Sequence, residues 1–190
     1  MPRILVVFGT TDGHTVKVAS AIGDALTDAG ATVTVERPHG SAPDPARYDA
    51  VVVAASVHGG TFQPNVVAWV RAQAARLNRL PTAFVSVSLG ILQRDPAVQR
   101  EVQAIVTRFL DATGWRPTDR LGVAGALLYT RYFWVKRLMM RRIAAKAGGD
   151  VDTSRDYVYT DWNALRHFAD AFGRRVVAGA QADAPVAASA

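Results

Sequence analysis

The sequence predicts a doubly wound α/β domain, a parallel sheet covered by helices on both faces. Three observations predict it. Strand-like and helix-like segments alternate from the first residues onward, the pattern of βαβ units with right-handed crossovers. Runs such as Ile4-Leu5-Val6-Val7-Phe8 and Ala50 to Ala55 are apolar throughout, as strands buried on both faces must be. Finally, 190 residues with 49% hydrophobic content suit one packed domain, and no internal repeat points to a solenoid.

Each element can be justified in turn. Ile4 to Phe8 reads as the first strand, and a turn rich in Gly and Thr follows it. A helix is expected from about His14 to Ala29, with Val18, Ile22, Ala25 and Leu26 on one face and Gly30 as its stop. Thr32 to Glu36 alternates Thr and Val as a second strand, and Pro38 to Pro45 is a turn-rich connection. Asp49 to Ala55 is a third strand. A loop with His58, Gly59 and Gly60 then leads into a helix from Pro64 to about Leu77. Thr82 to Ser86 is the fourth strand, Pro96 to about Ala112 the next helix, and Leu121 to Leu127 the fifth strand. Tyr157 to Thr160 reads as a short strand before a final helix from Asp161 to about Val177. The domain is expected to span residues 1–178, with 179–190 as a frayed Ala- and Pro-rich tail.

Composition removes several function classes. There is no cysteine, so disulfides, thiolate catalysis, iron–sulfur clusters and thiolate zinc sites are excluded. The four histidines show no metal-ligand spacing, and no metal is expected. The longest strongly apolar run is Ala50 to Ala55, far short of the ~20 residues a spanning helix needs. Met-Pro-Arg leads directly into a strand without a signal-peptide pattern, so a cytoplasmic protein is expected. The net charge of +6 is local. Arg131, Lys136, Arg137, Arg141, Arg142 and Lys146 lie between Leu121 and Gly149 without one acidic residue, and the remainder is neutral. A neutral body with one basic, aromatic segment suggests a docking surface for something anionic.

In doubly wound sheets, ligands sit beyond the carboxyl ends of the strands, which confines the search to three loops. The first is Gly9-Thr10-Thr11-Asp12-Gly13-His14-Thr15. A phosphate there would meet first-turn N–H groups and the positive end of the helix dipole. Hydroxyls on Thr10, Thr11 and Thr15 add donors, and Gly13 permits close backbone approach. Neither the dinucleotide fingerprint nor the Walker lysine is present, which disfavours NAD and ATP. An ordinary strand-to-helix turn with hydroxyl caps is the alternative.

This loop resembles the phosphate-binding loop of flavodoxins, in its pattern and in its position after the N-terminal strand. Asp12 stands where that loop carries Thr. A carboxylate there repels a phosphate unless it turns away, for instance to cap the helix. Tyr48 to Ser56 followed by His58-Gly59-Gly60 is similar to the second flavodoxin loop, and Phe84-Val85-Ser86-Val87-Ser88-Leu89 to the strand and loop closing the other side. Ala124 to Tyr132, Trp134, Gly148-Gly149, Val158 to Trp162 and Trp115-Arg116-Pro117 make a more specific match. Together with Thr-x-Asp-Gly-x-Thr in the first loop, they resemble the menaquinone-dependent protoporphyrinogen dehydrogenases, a flavodoxin-like family in which the aspartate is expected.

That resemblance implies a flavodoxin-like five-stranded sheet in order 2-1-3-4-5, with an inserted basic helix near strand five. It implies FMN as cofactor, with Thr10, Thr11, Asp12, Gly13, His14 and Thr15 around the phosphate. Ser56, Val57, His58 and Gly59 would line one side of the isoalloxazine, and Ser86, Val87, Ser88, Leu89 and Gly90 the other. The implied reaction is oxidation of protoporphyrinogen IX with a membrane quinone as acceptor, by an enzyme held peripherally on the inner face of the cell membrane. No nucleophile–base pair stands out, so no catalytic residue is assigned. Flavin chemistry needs none, since the cofactor carries the redox step. A flavodoxin-type electron carrier and a flavin-free interaction module are the rival readings.

The insertion, residues 128–156, interrupts the fifth strand in this plan, leaving Gly122 to Leu127 and Tyr157 to Thr160 as two sides of one edge. Its helix is expected from about Arg131 to Ala147. At 100° per residue, Leu138, Val135, Met139, Tyr132 and Ile143 share a broad face into which Arg142 and Lys146 intrude. Tyr129, Arg131, Tyr132, Trp134, Lys136, Arg137, Arg141 and Arg142 form a candidate docking set. Aromatic anchors and snorkelling arginines suit an anionic membrane surface, and the same charges suit substrate propionates. A solvated basic face is the plain alternative. Nucleic acid is not expected, because no recognition motif accompanies so short a strip.

Overall fold

The computed structural model describes residues 1–38, 43–146 and 150–182, the side chains of Lys136, Ile143 and Lys146 excepted. The five-stranded sheet consists of β1 (Arg3–Gly9), β2 (Thr32–Glu36), β3 (Ala50–Ser56), β4 (Thr82–Val87) and β5 (Asp119–Val123). Its order is β2-β1-β3-β4-β5, as expected from the sequence, and every pairing is parallel. The covering helices are α1 (His14–Asp28), α2 (Pro64–Leu77) and α3 (Pro96–Thr113). The insertion carries α4 (Trp134–Lys146), and α5 (Trp162–Ala182) closes the described chain.

The sheet separates two cores because successive side chains point to opposite faces. Ile4, Val6 and Phe8 pack with Val18, Ile22 and Leu26 of α1 and with Leu165 and Phe172 of α5. Leu5 and Val7 face the other way, toward Val66, Trp69 and Val70 of α2 and Ile105 and Phe109 of α3. Burying each such aliphatic side chain stabilises the fold by about 1.5–3 kcal/mol. On the second face Phe62, Phe84, Phe109 and Trp115 form a ring cluster with centroids 4.9–6.3 Å apart.

Two expectations are corrected at the sheet edge. The fifth strand starts at Asp119 and stops at Val123 instead of continuing to Leu127. Tyr157 to Thr160 does not return to that edge. Instead, β6 (Ala126–Leu127) pairs antiparallel with β7 (Tyr157–Val158) in a separate ribbon. The bend comes at Ala124-Gly125, where Tyr159 N–H donates to Gly125 O (3.1 Å) and Thr160 Oγ1 to Ala124 O (2.6 Å). The insertion therefore hangs beside the sheet and has its own small core of Leu127, Leu128, Tyr129, Tyr132 and Ala144.

Its helix also begins later than expected, after a 3-10 turn over Tyr129–Arg131. Arg137, Met140 and Ala144, at helical spacing, are its less exposed residues, while Val135, Leu138 and Met139 of the anticipated apolar face are about half exposed. α5 continues to Ala182, past the expected end near Val177. Residues 183–190, the greater part of the expected tail, lie outside the described residues, as do Ala147, Gly148 and Gly149.

Candidate functional site

A cleft open to solvent lies over the carboxyl ends of β1, β3 and β4. Thr10, Thr11, Asp12, His14 and Thr15 form its first wall. Gly13 is the N-cap of α1, with a left-handed φ of 94° and no capping side chain; Gly13 N–H itself donates to Thr10 Oγ1 (2.9 Å). Asp12 therefore does not fill the capping role considered for it. The first turn of α1 presents its N–H groups, together with the positive end of the helix dipole, toward the cleft. His14 turns inward: its Nε2 is 2.7 Å from Thr160 Oγ1, and its ring lies 5.7 Å from that of Trp162. Burial, with Lys17 nearby, lowers its pKa.

The second wall is Ser56, Val57 and His58. His58 N–H donates to Thr61 O (2.8 Å), and Thr61 N–H donates back to His58 O (3.2 Å), closing a tight turn over Gly59-Gly60. Val87, Ser88 and Leu89 make the third wall. Ser88 Oγ accepts from Gly90 N–H (3.1 Å) and so caps the turn that follows β4.

The roof comes from the insertion and its ribbon, as Gly125, Ala126, Tyr132 and Met140. Tyr132 is buried, which pushes its hydroxyl pKa up to about 12, with Asp12 contributing in the same direction. Arg131 also reaches back over the first loop, its Nη1 3.2 Å from where a Cβ on Gly13 would stand. Polar groups thus gather at the first turn of α1, and Val57, Leu89, Ala126, Tyr132 and Met140 supply apolar walls. The residues fit a phosphate-bearing flavin, whose two ends make those opposite demands.

Four of the expected residues are not among those that line this cleft. Gly13 and Gly59 are backbone turn positions. Ser86 lies inside β4 and borders a separate cavity beside Ile91 and Gly122. A Cβ on Gly90 would come within 2.6 Å of Val102 Cγ2, so this glycine serves contact with α3. The docking set divides as well. Tyr129 is fully buried, its hydroxyl donating to Asp150 O (2.8 Å). Arg137 is occupied within the insertion, donating from Nε to Tyr129 O (3.0 Å) and from Nη2 to Tyr132 O (3.3 Å). Trp134, Arg141 and Arg142 remain exposed, together with Phe133. The side chain of Lys136 lies outside the described residues.

Sequence reasoning missed Gly125, Ala126 and Met140 as lining residues, and it missed Gln63. Gln63 Nε2 donates to Thr11 Oγ1 (3.1 Å) and Ser56 Oγ (2.8 Å), bracing the first wall against the second. Its Oε1 is buried and finds no hydrogen-bond partner among the described residues. Gly9 makes room for this side chain, since a Cβ there would lie 2.7 Å from Gln63 Oε1 and 2.5 Å from Val66 Cγ2. A glycine ending β1, with Gln just before Pro64, is the signal that could have indicated the brace.

Residues 5–154 match the flavodoxin domain family model, and the chain belongs to that family. A short-chain flavodoxin associated with a bacterial microcompartment has the same fold, with a TM-score of 0.54 at 18% identity, covering 93% of this chain and 99% of that one. More particularly, the chain belongs to the protoporphyrinogen IX dehydrogenases (quinone), a group of oxidoreductases. The Escherichia coli K12 protein of that name is 34% identical over 168 residues, covering 88% of this chain and 92% of its own. The Leishmania major protein of that name is 33% identical over 174 residues, covering 90% and 74%.

Proposed function

We propose that this chain binds FMN and oxidises protoporphyrinogen IX to protoporphyrin IX, passing the electrons to a membrane quinone. The observation that carries the reading is the roofed cleft. Tyr132 and Met140 enter the same space as the phosphate-type loop, which gives the site an additional wall against which a flat substrate could be oriented. Bound flavin would supply the two-electron redox chemistry. The chain's own residues position and shield. The first loop holds the phosphate through backbone N–H groups and hydroxyls, Val57 and Leu89 flank the ring, and Tyr132 keeps its proton throughout the physiological range, so it can donate a hydrogen bond but not act as a base.

Access to quinone is the second part of the proposal. Phe133 is 72% exposed and Trp134 67%, and Val135, Leu138 and Met139 continue the apolar surface beside Arg141 and Arg142. This combination suits the interface of an anionic bilayer, where aromatic rings sit at headgroup depth and basic residues near the surface each contribute about 1 kcal/mol. No helix among the described residues is long and apolar enough to cross a membrane, so the association proposed is peripheral.

Anaerobic spectroscopy tests the reaction. Protein loaded with FMN should lose its visible flavin absorbance on addition of protoporphyrinogen IX and recover it with menaquinone or, in a separate sample, ubiquinone. Flavin that stays oxidised in the presence of the porphyrinogen would overturn the proposal.

A further inference from the structure

We infer that Arg131, although it belongs to the insertion, is the cation that neutralises the cofactor's phosphate. It thereby makes the site selective for a phosphorylated flavin and ties the insertion down when that flavin binds. This rests on the FMN reading above.

The first loop is chemically incomplete for a dianion. From Thr10 to Thr15 it contains no lysine or arginine. Backbone N–H groups and hydroxyls can hold a phosphate, but none of them carries a full positive charge. The missing charge arrives from more than one hundred residues further along the chain, with Arg131 Nη1 poised over Gly13 at the 3.2 Å already described. Gly13 is the N-cap, so the guanidinium meets the positive end of α1. Two positive features that converge on one spot attract an anion to it. A phosphate dianion satisfies both, and arginine's planar fork matches its oxygens.

Arg131 is also held in place from behind. It ends the 3-10 turn that starts at fully buried Tyr129, and its own N–H donates to Leu128 O (3.0 Å). Thr130, just before it, donates from N and from Oγ1 to Asp156 Oδ1 (2.9 Å each). Tyr132, just after it, is buried in the roof. A phosphate bridging Arg131 and α1 would therefore connect the insertion to the body at the first loop. Flavin without a phosphate would leave that link unmade.

FMN and riboflavin, which differ only in the phosphate, separate the possibilities. Their affinities are measured by flavin fluorescence titration for the parent, Arg131→Gln and Arg131→Lys, and chymotrypsin cleavage within 128–156 is followed with each ligand. Arg131→Gln should weaken FMN about ten- to hundredfold, the loss of one charge-assisted contact, and leave riboflavin binding unchanged. Arg131→Lys should recover part of the loss. FMN should protect the parent insertion from chymotrypsin more than riboflavin does, and that difference should vanish in Arg131→Gln. Unchanged FMN affinity, or equal losses for both flavins, would overturn the inference. A parent that does not prefer FMN over riboflavin would overturn the phosphate-loop reading itself, and this inference with it. Because Arg131 is exposed, the unliganded variants should melt with the parent, which separates a binding defect from a folding one.

Discussion

His14 at the start of α1 is hydrogen-bonded to Thr160, where the chain leaves the insertion, with 2.7 Å between Nε2 and Oγ1. The Thr160 hydroxyl is also 2.6 Å from Ala124 O. A carbonyl can only accept, so the hydroxyl proton goes to Ala124 and the histidine must donate from Nε2. The contact fixes the tautomer of His14 and joins the first loop to both ends of the ribbon that carries the roof.

The lowered pKa of His14 makes this contact sensitive to acid. Between its folded value and the unfolded 6.5, the unfolded chain binds more protons, so stability rises with pH in that window. The contribution is fully present above pH 6.5 and is lost as pH falls through the lowered folded value. Urea denaturation from pH 5 to 7 should show this slope in the parent and a shallower one in His14→Asn. An unchanged slope would assign the effect to other groups.

Gly9→Ala should be destabilising in spite of its small size. The added methyl overlaps Val66 Cγ2 and the Gln63 side chain, and overpacking of this kind costs about 1–3 kcal/mol. Chemical denaturation of the unliganded protein measures it. Parent-like stability would mean that α2 can move away freely.

Gln63→Leu should separate binding from folding. The variant leaves the Thr11 and Ser56 hydroxyls without their shared donor, but it also removes a buried oxygen that lacks a partner. These effects offset each other, so stability should stay within about 1 kcal/mol of the parent. Flavin affinity should fall about tenfold as the two walls lose their brace. A large loss of stability with normal affinity would contradict this division.

Membrane docking should depend on exposed groups only. Phe133→Ser with Trp134→Ser should weaken cosedimentation with anionic liposomes, and so should Arg141→Gln with Arg142→Gln. Binding by the parent should fall as salt rises, because the screening length is about 8 Å at physiological ionic strength. Flavin affinity should survive in both variants. Equal liposome binding by the parent and both variants would remove the insertion from any lipid contact.

Much of the sheet was legible because its strands are continuous apolar runs with one structural solution. β2 and α2 fall where their sequence patterns place them. The loops at the strand ends were legible for the same reason, since the topology leaves ligands few other places. What escaped prediction depends on long-range contact. The brace from Gln63 to Thr11 joins residues 52 apart, and the only trace of it in the sequence is Gly9 together with a Gln before Pro64. Met140 reaches the cleft only because the chain bends at Ala124-Gly125 and folds back through an antiparallel ribbon. On α4 periodicity shows that Val135, Leu138 and Met139 share a face, but not which way that face turns. The contacts of Arg137 with the carbonyls of Tyr129 and Tyr132 turn the Arg137 side of the helix inward and leave those apolar side chains about half exposed.

The ribbon of β6 and β7 brings both ends of the insertion to one spot, with Ala126 opposite Val158 and Leu127 opposite Tyr157. The chain leaves and rejoins the body there like a bag closed by a drawstring. Loop-closure entropy grows only logarithmically, by about 0.6 kcal/mol for each doubling of length. Lengthening, shortening or replacing the segment between those rungs therefore disturbs the five-stranded sheet very little. Descendants of this architecture are free to exchange the bag for another, acquiring new substrates or new surfaces on which to settle while the flavodoxin body is inherited intact.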